Sequence, residues 1–342
     1  MRASGWQRQR TASLVQVSDS WVLLALATCL VLLSIYAMTL GDIRLSWAEV
    51  LAALLGQGSA ADRLVVWQWR LPRVLAALVF GAALAMSGAI FQRLTRNPLG
   101  SPDIVGFNTG AFAGVVLATV VGLGSGFWGR GLSALLGGLL TALVVYLLSY
   151  RGGVQSFRFI VMGLAVSAFL ASVNTWFMTF FDLSVTFEAS VWGAGSLLFV
   201  AWDSLLPAGA LILCLLLFSC PVARVLKQLE LGDDLAAALG LPVELARAGL
   251  VFMGVALTAT VTAVAGPLAF IALAAPQIAL RLVAAGRFSP AVTALVGALL
   301  LLLADMLAQH AFPGLLLPTG AVTIMVGGIY LAWLVWRLPE GR

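Results

Sequence analysis

Charged residues are scarce in this chain of 342 residues, and their scarcity sets its class. Only 10% of the residues are Asp, Glu, Lys or Arg, while 62% are hydrophobic and the mean hydropathy is +1.06. An average soluble domain carries about 25% charged residues. Apolar runs near membrane-spanning length recur from one end of the chain to the other. The composition predicts an all-α polytopic membrane protein and leaves no room for a sizeable soluble domain.

Lysine, histidine and cysteine are also rare. The single lysine, Lys227, follows no glycine-rich loop, which excludes a phosphate-binding loop for nucleotide hydrolysis. Cys29, Cys214 and Cys220 lie in or beside apolar runs and lack the paired spacing of a metal site. His310 stands alone, and no cluster of nucleophile and base supports an integral-membrane enzyme. We expect no catalytic site, no metal and no cofactor bound directly by this chain.

Ten apolar segments are predicted to cross the membrane. The first could be mistaken for a signal peptide, but its length can span a bilayer and no small-residue cleavage site follows it. The ten segments make one transmembrane domain over 21–336, between tails at 1–20 and 337–342. They are 21–40, 74–91, 105–123, 131–150, 159–181, 204–220, 248–265, 268–280, 291–311 and 319–336.

The basic residues predict the orientation of these segments. Cytoplasmic loops of membrane proteins carry an excess of Lys and Arg. With both termini in the cytoplasm, all but five of the 19 Lys and Arg residues fall on the cytoplasmic side. This bias explains the net charge of +5 without a nucleic-acid partner. The five on the opposite side are Arg44, Arg63, Arg70, Arg73 and Arg130.

Two regions are too irregular for simple membrane anchors. The segment 69–114 holds an apolar span between two ordered polar blocks. The segment 268–280 follows Pro267, is interrupted by Pro276, and reaches only about 20 Å as a helix, too short for a bilayer. Transporters place such broken helices near the substrate path, where protein or a water-filled cavity surrounds them.

A glycine repeat marks the segment 105–123. Gly106, Gly110 and Gly114 recur every four residues and leave one helix face bare. Small residues at this spacing let a neighbouring helix approach closely. We interpret the repeat as a packing surface of the helix bundle.

Asp305 is the acid that lies well within an apolar run. Intramembrane acids invite a role in proton coupling, which would make the chain a proton-coupled secondary carrier. The favoured interpretation is a packing carboxylate that a neighbouring side chain satisfies. His310 is interpreted as an interfacial residue.

The segment 221–247 is predicted to receive energy from another subunit. Gly232 with Asp233 and Asp234 favours a helix start, and Gly240 favours its end. Pro242 suits the first turn of a second short helix. The two helices would present leucines for docking, since exposed leucines beside charges mark interfaces. A solvated hairpin is the alternative. The predicted docking residues are Leu235, Leu239, Leu241 and Val243.

Six motifs in order give the chain a resemblance over nearly its whole length. They are RLPR at 70–73, GAALAMSGAIFQ at 81–92, RNPLGSPD at 96–103, LGLP at 239–242, AGPLAFIALAAPQ at 265–277 and LPTGAVT at 317–323. These motifs resemble the FecCD family, the permeases of ABC importers for iron-siderophores, haem and cobalamin. The resemblance implies a second homologous permease, two cytoplasmic ATPases that use ATP and Mg, and a periplasmic binding protein. It places the chain in a bacterial inner membrane.

The resemblance also implies roles for individual residues. Arg70 and Arg73 match arginines that pair with acidic residues of the binding protein, a role for which guanidinium groups are suited, although interfacial snorkelling is the alternative. A third family arginine aligns near Gln309, which is neutral, and Gln277 stands where many relatives have histidine, so it receives no titrating role. The constrictions of a cytoplasmic gate in the family are matched by Asn97, Pro98, Leu99, Gln155 and Ser156. Asn97 and Pro98 also suit an ordinary helix-ending turn, which is the alternative. The residues that match the ATPase coupling segment are Asp233, Asp234, Leu235, Leu239, Gly240, Leu241 and Pro242.

The cargo is expected to be a ferric siderophore. GSPDIVGFNTGA, NTW at 174–176 and the ending GGIYL most resemble family members that import ferric enterobactin. Haem, hydroxamate siderophores and cobalamin stay open, because packing and interfacial belts explain aromatic residues equally well. The polar and aromatic residues expected along the path are Asn108, Thr109, Asn174, Thr175 and Trp176.

Overall fold

The computed structural model describes residues 19–41, 43–103, 105–123, 126–150, 156–180, 190–283, 287–311 and 316–337, and its regular elements there are helices. A π-helical turn, Val65–Arg70, joins the third helix to the fourth. The helices are α1 Asp19–Thr39, α2 Trp47–Leu54, α3 Ala60–Leu64, α4 Leu71–Leu94, α5 Phe107–Val120, α6 Gly126–Ser149, α7 Ser156–Met178, α8 Trp202–Leu217, α9 Ser219–Glu230, α10 Asp233–Ala238, α11 Val243–Ala265, α12 Ile271–Leu282, α13 Pro290–His310 and α14 Thr319–Arg337.

Each of the ten predicted membrane segments has a helical counterpart in the described part of the chain. In the described part of the chain, α1, α4, α6, α7, α11 and α13 are each long and apolar enough to cross a membrane, with α4 counted together with the helical residues before it. A bent pair, α8 and α9, supplies a seventh candidate span. The helices α5, α12 and α14 provide the shorter apolar segments. The all-α polytopic fold predicted from composition is confirmed.

The boundary before α4 differs from the sequence prediction. The stretch 41–73 is predicted to lie outside the membrane, yet the helix runs unbroken from Ala60 to Leu94 over 35 residues. At about 1.5 Å per residue it is longer than a bilayer is thick, so it extends beyond the membrane region. Arg70 and Arg73 therefore lie on a helix that continues into the bundle.

A short amphipathic helix, α2, precedes this long helix. Ser46 caps α2 by accepting a hydrogen bond from the backbone of Glu49, and the Glu49 carboxylate accepts one from Ser46 N at 2.7 Å. This reciprocal pair is a capping box. The hydrogen bonds from Ser46 hold the pKa of the exposed Glu49 carboxyl below its usual value.

The helix α4 is the centre of the bundle, because small residues let its neighbours approach. A Cβ added at Gly81 would lie 2.4 Å from the carbonyl oxygen of Gly297 on α13. One added at Gly88 would lie 1.7 Å from the carbonyl oxygen of Ala272 on α12. Both distances are below van der Waals contact, so only glycine allows this packing.

Two glycines of the predicted repeat, Gly110 and Gly114, pack against α6, while Gly106 precedes α5 with φ 89° and faces Ser167 of α7. A Cβ at Gly110 would lie 2.0 Å from Thr141 Oγ1, and one at Gly114 would lie 2.1 Å from the carbonyl oxygen of Ser133. On α6, Gly137 faces the same surface, with the Gly110 carbonyl oxygen 2.4 Å from its added Cβ. The two helices are therefore in backbone contact.

Candidate functional site

A pocket of about 810 Å³ lies beside the predicted docking arginines. We call it the Arg70 pocket. Arg70 reaches across it and donates hydrogen bonds to the backbone carbonyls of Met38 and Ile43. Its polar lining residues are Arg44, Gln68, Arg70, Arg73, Asp305, Gln309 and His310. The lining holds three arginines and one acid, so the pocket is positively charged.

Arg73 is committed to an internal ion pair. Its Nε donates to Asp305 Oδ2 at 2.8 Å and its Nη2 donates to Asp305 Oδ1 at 2.9 Å, a bidentate arrangement. The Arg73 side chain is only 11% exposed. The pair joins α4 to α13, and a role of Arg73 in docking stays a prediction.

Two further side chains complete the shell around Asp305. Gln309 Nε2 donates to Oδ2 at 2.8 Å, and Thr319 Oγ1 donates to Oδ1 at 2.8 Å. Asp305 is 2% exposed and has a cation and two neutral donors. This is the environment of a packing carboxylate, the interpretation that the sequence favours. Gln309 is neutral and donates to this carboxylate rather than adding a positive charge to the pocket.

A second pocket, of about 410 Å³, brings together two of the predicted gate residues. We call it the Asn97 pocket. Asn97 and Pro98 line this pocket, and the neighbouring Leu99 is 38% exposed. Of the other two predicted gate residues, Gln155 lies outside the described residues and Ser156 is the first residue of α7. The remaining lining residues are Ala89, Gln92, Arg93, Arg96, Glu230, Pro276, Gln277, Leu280 and Phe288.

The turn after α4 shapes this pocket. Arg96 has a left-handed backbone with φ 49°, which reverses the chain after Thr95. Asn97 Oδ1 then accepts a hydrogen bond from Leu99 N at 2.9 Å, and Gly100 N donates to Asn97 O at 2.9 Å. Asn97 and Pro98 thus form a helix-ending turn and line a pocket at once, so the two interpretations are compatible.

Gln277 faces the same pocket from α12. Its Nε2 donates to Gln92 Oε1 at 2.7 Å, while Gln92 Nε2 donates to the carbonyl of Leu273 at 2.9 Å. The two amides connect α4 to the middle of the proline-broken helix. Neither side chain carries a charge, in agreement with the absence of a titrating role for Gln277.

The predicted coupling segment 221–247 contains most of α9, the short helix α10 and the start of the long helix α11. Helix α10 begins at Asp233 and ends before Gly240, whose φ is 85°, as the sequence predicts. The second predicted short helix is instead the beginning of the 23-residue α11, and Pro242 is its N-cap residue rather than a first-turn residue. The segment therefore joins directly to a membrane span.

The four predicted docking residues differ in their exposure. Leu235 is 58% exposed and Leu239 is 60% exposed. Leu241 and Val243 pack against the hydrophobic core instead. Leu241 and Val243 are half-buried, so Leu235 and Leu239 are the more exposed pair, and docking through all four stays a prediction.

Charged side chains fasten this segment to the turn after α4. Asp233 accepts a hydrogen bond from Arg247 Nη2 at 2.6 Å and lies 3.9 Å from Arg96 Nη2. Arg96 also donates to the carbonyl of Leu229 at 3.0 Å, near the end of α9. Arg93 of α4 forms an ion pair with Glu230, the last residue of α9. Asp234 lies beside Asp233 and is exposed.

The predicted path residues separate into two groups. Thr109 Oγ1 lies 3.0 Å from Ser167 Oγ, and the Thr109 carbonyl accepts from Asn174 Nδ2 at 3.3 Å, which joins α5 to α7. Asn174 is 5% exposed, and its Oδ1 has no hydrogen-bond partner among the residues that the structure describes. Thr175 and Trp176 are exposed on α7.

Asp103 is a polar residue whose environment the sequence does not reveal. Its Oδ1 accepts from Asn108 Nδ2 at 2.6 Å, and Asn108 Oδ1 accepts from Thr262 Oγ1 at 2.9 Å. Its Oδ2 accepts from the backbone N of Phe270 at 3.3 Å. The signal in the sequence is an acid after a proline at the entrance to an apolar helix, inside the motif RNPLGSPD.

The described residues hold no group of three or more His, Cys, Asp or Glu side chains that could bind a metal ion. The chemistry available in both pockets is that of hydrogen bonds and charge. The Arg70 pocket suits acidic groups, and the Asn97 pocket is lined by amides and paired charges.

The chain is similar to several transport permeases. It is 46% identical over 323 residues to the ferric enterobactin transport system permease protein FepG of Escherichia coli, covering 93% of this chain and 97% of that protein. It is 35% identical over 309 residues to the iron(3+)-hydroxamate import system permease protein FhuG of Bacillus subtilis, covering 88% and 92%. It is 37% identical over 285 residues to the vitamin B12 import system permease protein BtuC of Salmonella typhi, covering 82% and 86%.

The fold has a counterpart among solved structures. An inward-facing metal-chelate type ABC transporter matches with a TM-score of 0.82 at 27% identity, covering 94% of this chain and all of that chain. The family model of the FecCD transport family matches residues 29–337. That match includes both pockets, the coupling segment and every helix described above except the start of α1. The chain belongs to the FecCD transport family.

Proposed function

We propose that this chain is the transmembrane permease subunit of an ATP-driven importer that carries a ferric siderophore, with ferric enterobactin as the cargo. The observation that carries the proposal is the 46% identity to a ferric enterobactin permease over 93% of the chain. The subunit performs no bond chemistry. ATP and Mg are used by the partner ATPase, since the sequence has no phosphate-binding loop.

The two pockets correspond to the two ends of an alternating-access cycle. The Arg70 pocket faces the periplasm and receives the siderophore-binding protein, while the Asn97 pocket belongs to the cytoplasmic gate. A cytoplasmic ATPase dimer docks on α10 through Leu235 and Leu239. Such a transporter changes state only because ATP and the loaded binding protein have unequal affinities for its two states.

The assembly includes a second, homologous permease, and the path lies between the two. The chain resides in a bacterial inner membrane with both termini in the cytoplasm. This orientation is supported by the positive-inside distribution of the basic residues. It puts Arg44, Arg63, Arg70 and Arg73 together on the periplasmic side.

The direct test is ATP-driven uptake into vesicles that contain the complete complex. Ferric enterobactin should accumulate, while ferrichrome and haem should not. Accumulation of ferrichrome or cobalamin instead would assign a different cargo, an outcome that the similarity to FhuG and BtuC makes worth measuring.

A proton-coupled carrier that uses Asp305 makes the opposite prediction. Uptake would then need no ATPase and would stop on addition of an uncoupler. Accumulation against a gradient by the purified subunit alone in liposomes would refute the importer proposal. Copurification with an ATPase subunit would support it.

A further inference from the structure

The helix α12 begins in the protein interior without a cap of its own. Helix α11 ends before Gly266, and α12 starts at Ile271 after the connecting residues 266–270. Ile271, Ala272 and Leu273 are at most 5% exposed. The first backbone N–H groups of a helix have no partner inside the helix, so a buried start needs acceptors from elsewhere.

The residue at this start has an unfavourable backbone. Phe270 is the N-cap residue of α12 and has φ 71°, a left-handed conformation that bulky side chains rarely adopt. Its ring lies against Gly327 of α14, where an added Cβ would stand 2.2 Å from Phe270 Cγ. A strained residue of this kind persists only where its surroundings hold it.

Asp103 supplies one of these acceptors from a distant part of the chain, while Ile271 N donates to Ala269 O at 3.0 Å and Leu273 N to Phe270 O at 3.1 Å. Its Oδ2 accepts the hydrogen bond from Phe270 N at 3.3 Å, and a carboxylate is favourable at the positive end of a helix dipole. Its Oδ1 accepts a hydrogen bond from Asn108 Nδ2 at 2.6 Å, and Asn108 Oδ1 accepts one from Thr262 Oγ1 at 2.9 Å. One carboxylate thereby ties together the start of α5, the end of α11 and the start of α12. Among the described residues no cation pairs with it.

The other end of α12 reaches the Asn97 pocket. Pro276, Gln277 and Leu280 line that pocket together with Asn97 and Pro98. Asn97 and Pro98 thus share the pocket with α12, and Asp103 bonds to the residue at the start of that helix. The 12 residues of α12, with Pro276 among them, span about 18 Å and link the Asp103 contact to the pocket.

We propose that Asp103 is a positioning residue that sets how far the cytoplasmic gate is open, by bonding to Phe270 at the start of α12 and so fixing that helix beside Asn97 and Pro98. The inference rests on the proposed function in one respect, namely that the Asn97 pocket belongs to that gate. It predicts that weakening the Asp103 contacts loosens α12 and exposes the pocket.

The test measures how fast a cysteine in the pocket reacts. Leu280→Cys is introduced on α12 in a background with Cys29, Cys214 and Cys220 changed to Ser. The complete complex is placed in inside-out vesicles and treated with a membrane-impermeant maleimide. We expect Asp103→Asn to raise the labelling rate by about tenfold, the factor equivalent to one lost hydrogen bond, because the amide of Asn108 would then face a second amide in place of a carboxyl group that only accepts.

Two variants control for general damage. Asp203→Asn removes an exposed acid on α8 and should leave the rate unchanged. The reciprocal variant Asp103→Asn with Asn108→Asp keeps one amide and one carboxylate in the cluster. The amide introduced at position 103 can donate to the new carboxylate at position 108 while its oxygen accepts from Phe270 N, so labelling should return to within about twofold of the wild-type rate. A purely structural defect of the single variant would not be reversed in this way.

The possible outcomes separate the inference from the proposed function. If the wild-type rate does not differ between nucleotide-free and ATP-trapped complexes, the pocket is not the gate and that part of the proposed function fails. If the wild-type rate depends on nucleotide but Asp103→Asn labels like wild type, Asp103 has no positioning role. If Asp103→Asn does not enter the membrane, the reciprocal variant alone provides the test. A reciprocal variant that enters the membrane but labels about tenfold faster than wild type would overturn the inference.

Discussion

Single residues in this protein are distinguished by what surrounds them. Asp305 and Asp103 are both acids within the helix bundle, but among the described residues Asp305 pairs with an arginine and Asp103 accepts from neutral donors. A carboxylate away from water must be paired or hydrogen-bonded. The sequence identifies Asp305 by its apolar surroundings. It cannot identify the partners, because Arg73 is 232 positions from Asp305 and Phe270 is 167 positions from Asp103.

The ion pair between Arg73 and Asp305 is expected to stabilise the bundle. Changing Arg73 to Met leaves a buried carboxylate without its cation, which should destabilise the protein by about 3–5 kcal/mol. Combining Arg73→Met with Asp305→Leu should recover most of that loss, because no buried charge remains. Thermal unfolding in detergent measures both. Arg63→Met, at an exposed arginine, is the control, and a single variant as stable as that control would contradict the prediction.

The docking role proposed for Arg70 can be tested by reversing its charge. Arg70→Glu should weaken docking of the binding protein by about tenfold, since it reverses a charge in the mouth of a positive pocket. Arg63→Glu makes the same change outside that pocket and should have a smaller effect. Binding to the purified complex at two salt concentrations provides the measurement. Equal affinity for the Arg70 variant and the wild type would remove its docking role.

Whole elements pack by the glycines and prolines that they contain. Periodic glycines on α5 correctly predict a close neighbour, but they cannot name α6 as that neighbour, because any bare helix face would fit. The short α12 is predicted from its prolines and its length. Its non-local cap is a property of the packed bundle, since Asp103 reaches it from another element.

The contact between α5 and α6 should tolerate no added methyl group. Gly114→Ala should destabilise the protein by about 1–3 kcal/mol, because the new Cβ would lie 2.1 Å from the Ser133 carbonyl oxygen. Gly209→Ala on α8 is the matched control, since nothing lies within 4 Å of its added Cβ. That change should be neutral or stabilising, because alanine favours a helix. If Gly114→Ala and Gly209→Ala unfold at the same midpoint, the contact between α5 and α6 at Gly114 is contradicted.

The docking surface on α10 should depend on Leu239. Leu239→Asp places a charge in the proposed contact with the ATPase and should reduce the amount of ATPase subunit retained by about tenfold. Lys227→Glu, at an exposed position of α9, tests whether any new acid on this side has the same effect. Copurification on the tagged permease gives the measurement. Full retention with Leu239→Asp would move the docking surface elsewhere.

At the scale of the whole molecule, hydropathy predicts ten membrane segments and the structure contains a counterpart for each. The main differences lie at the ends of helices. Residues 60–70 extend the long helix before α4, and α11 begins in the predicted coupling segment. Membrane helices continue beyond the apolar run wherever polar residues can reach water, so hydropathy marks the apolar core of a helix and not its end.

The amino-acid order by itself determined the number of membrane segments, the membrane environment, the glycine packing face and the family, because each depends on composition, period or short motifs. Only the tertiary structure decided that Arg73 serves Asp305, that Leu241 and Val243 face the core, and that Asp103 caps α12. Those assignments depend on which distant segments meet in space. The free energy that selects these contacts belongs to the packed bundle, where every buried polar group must find a partner.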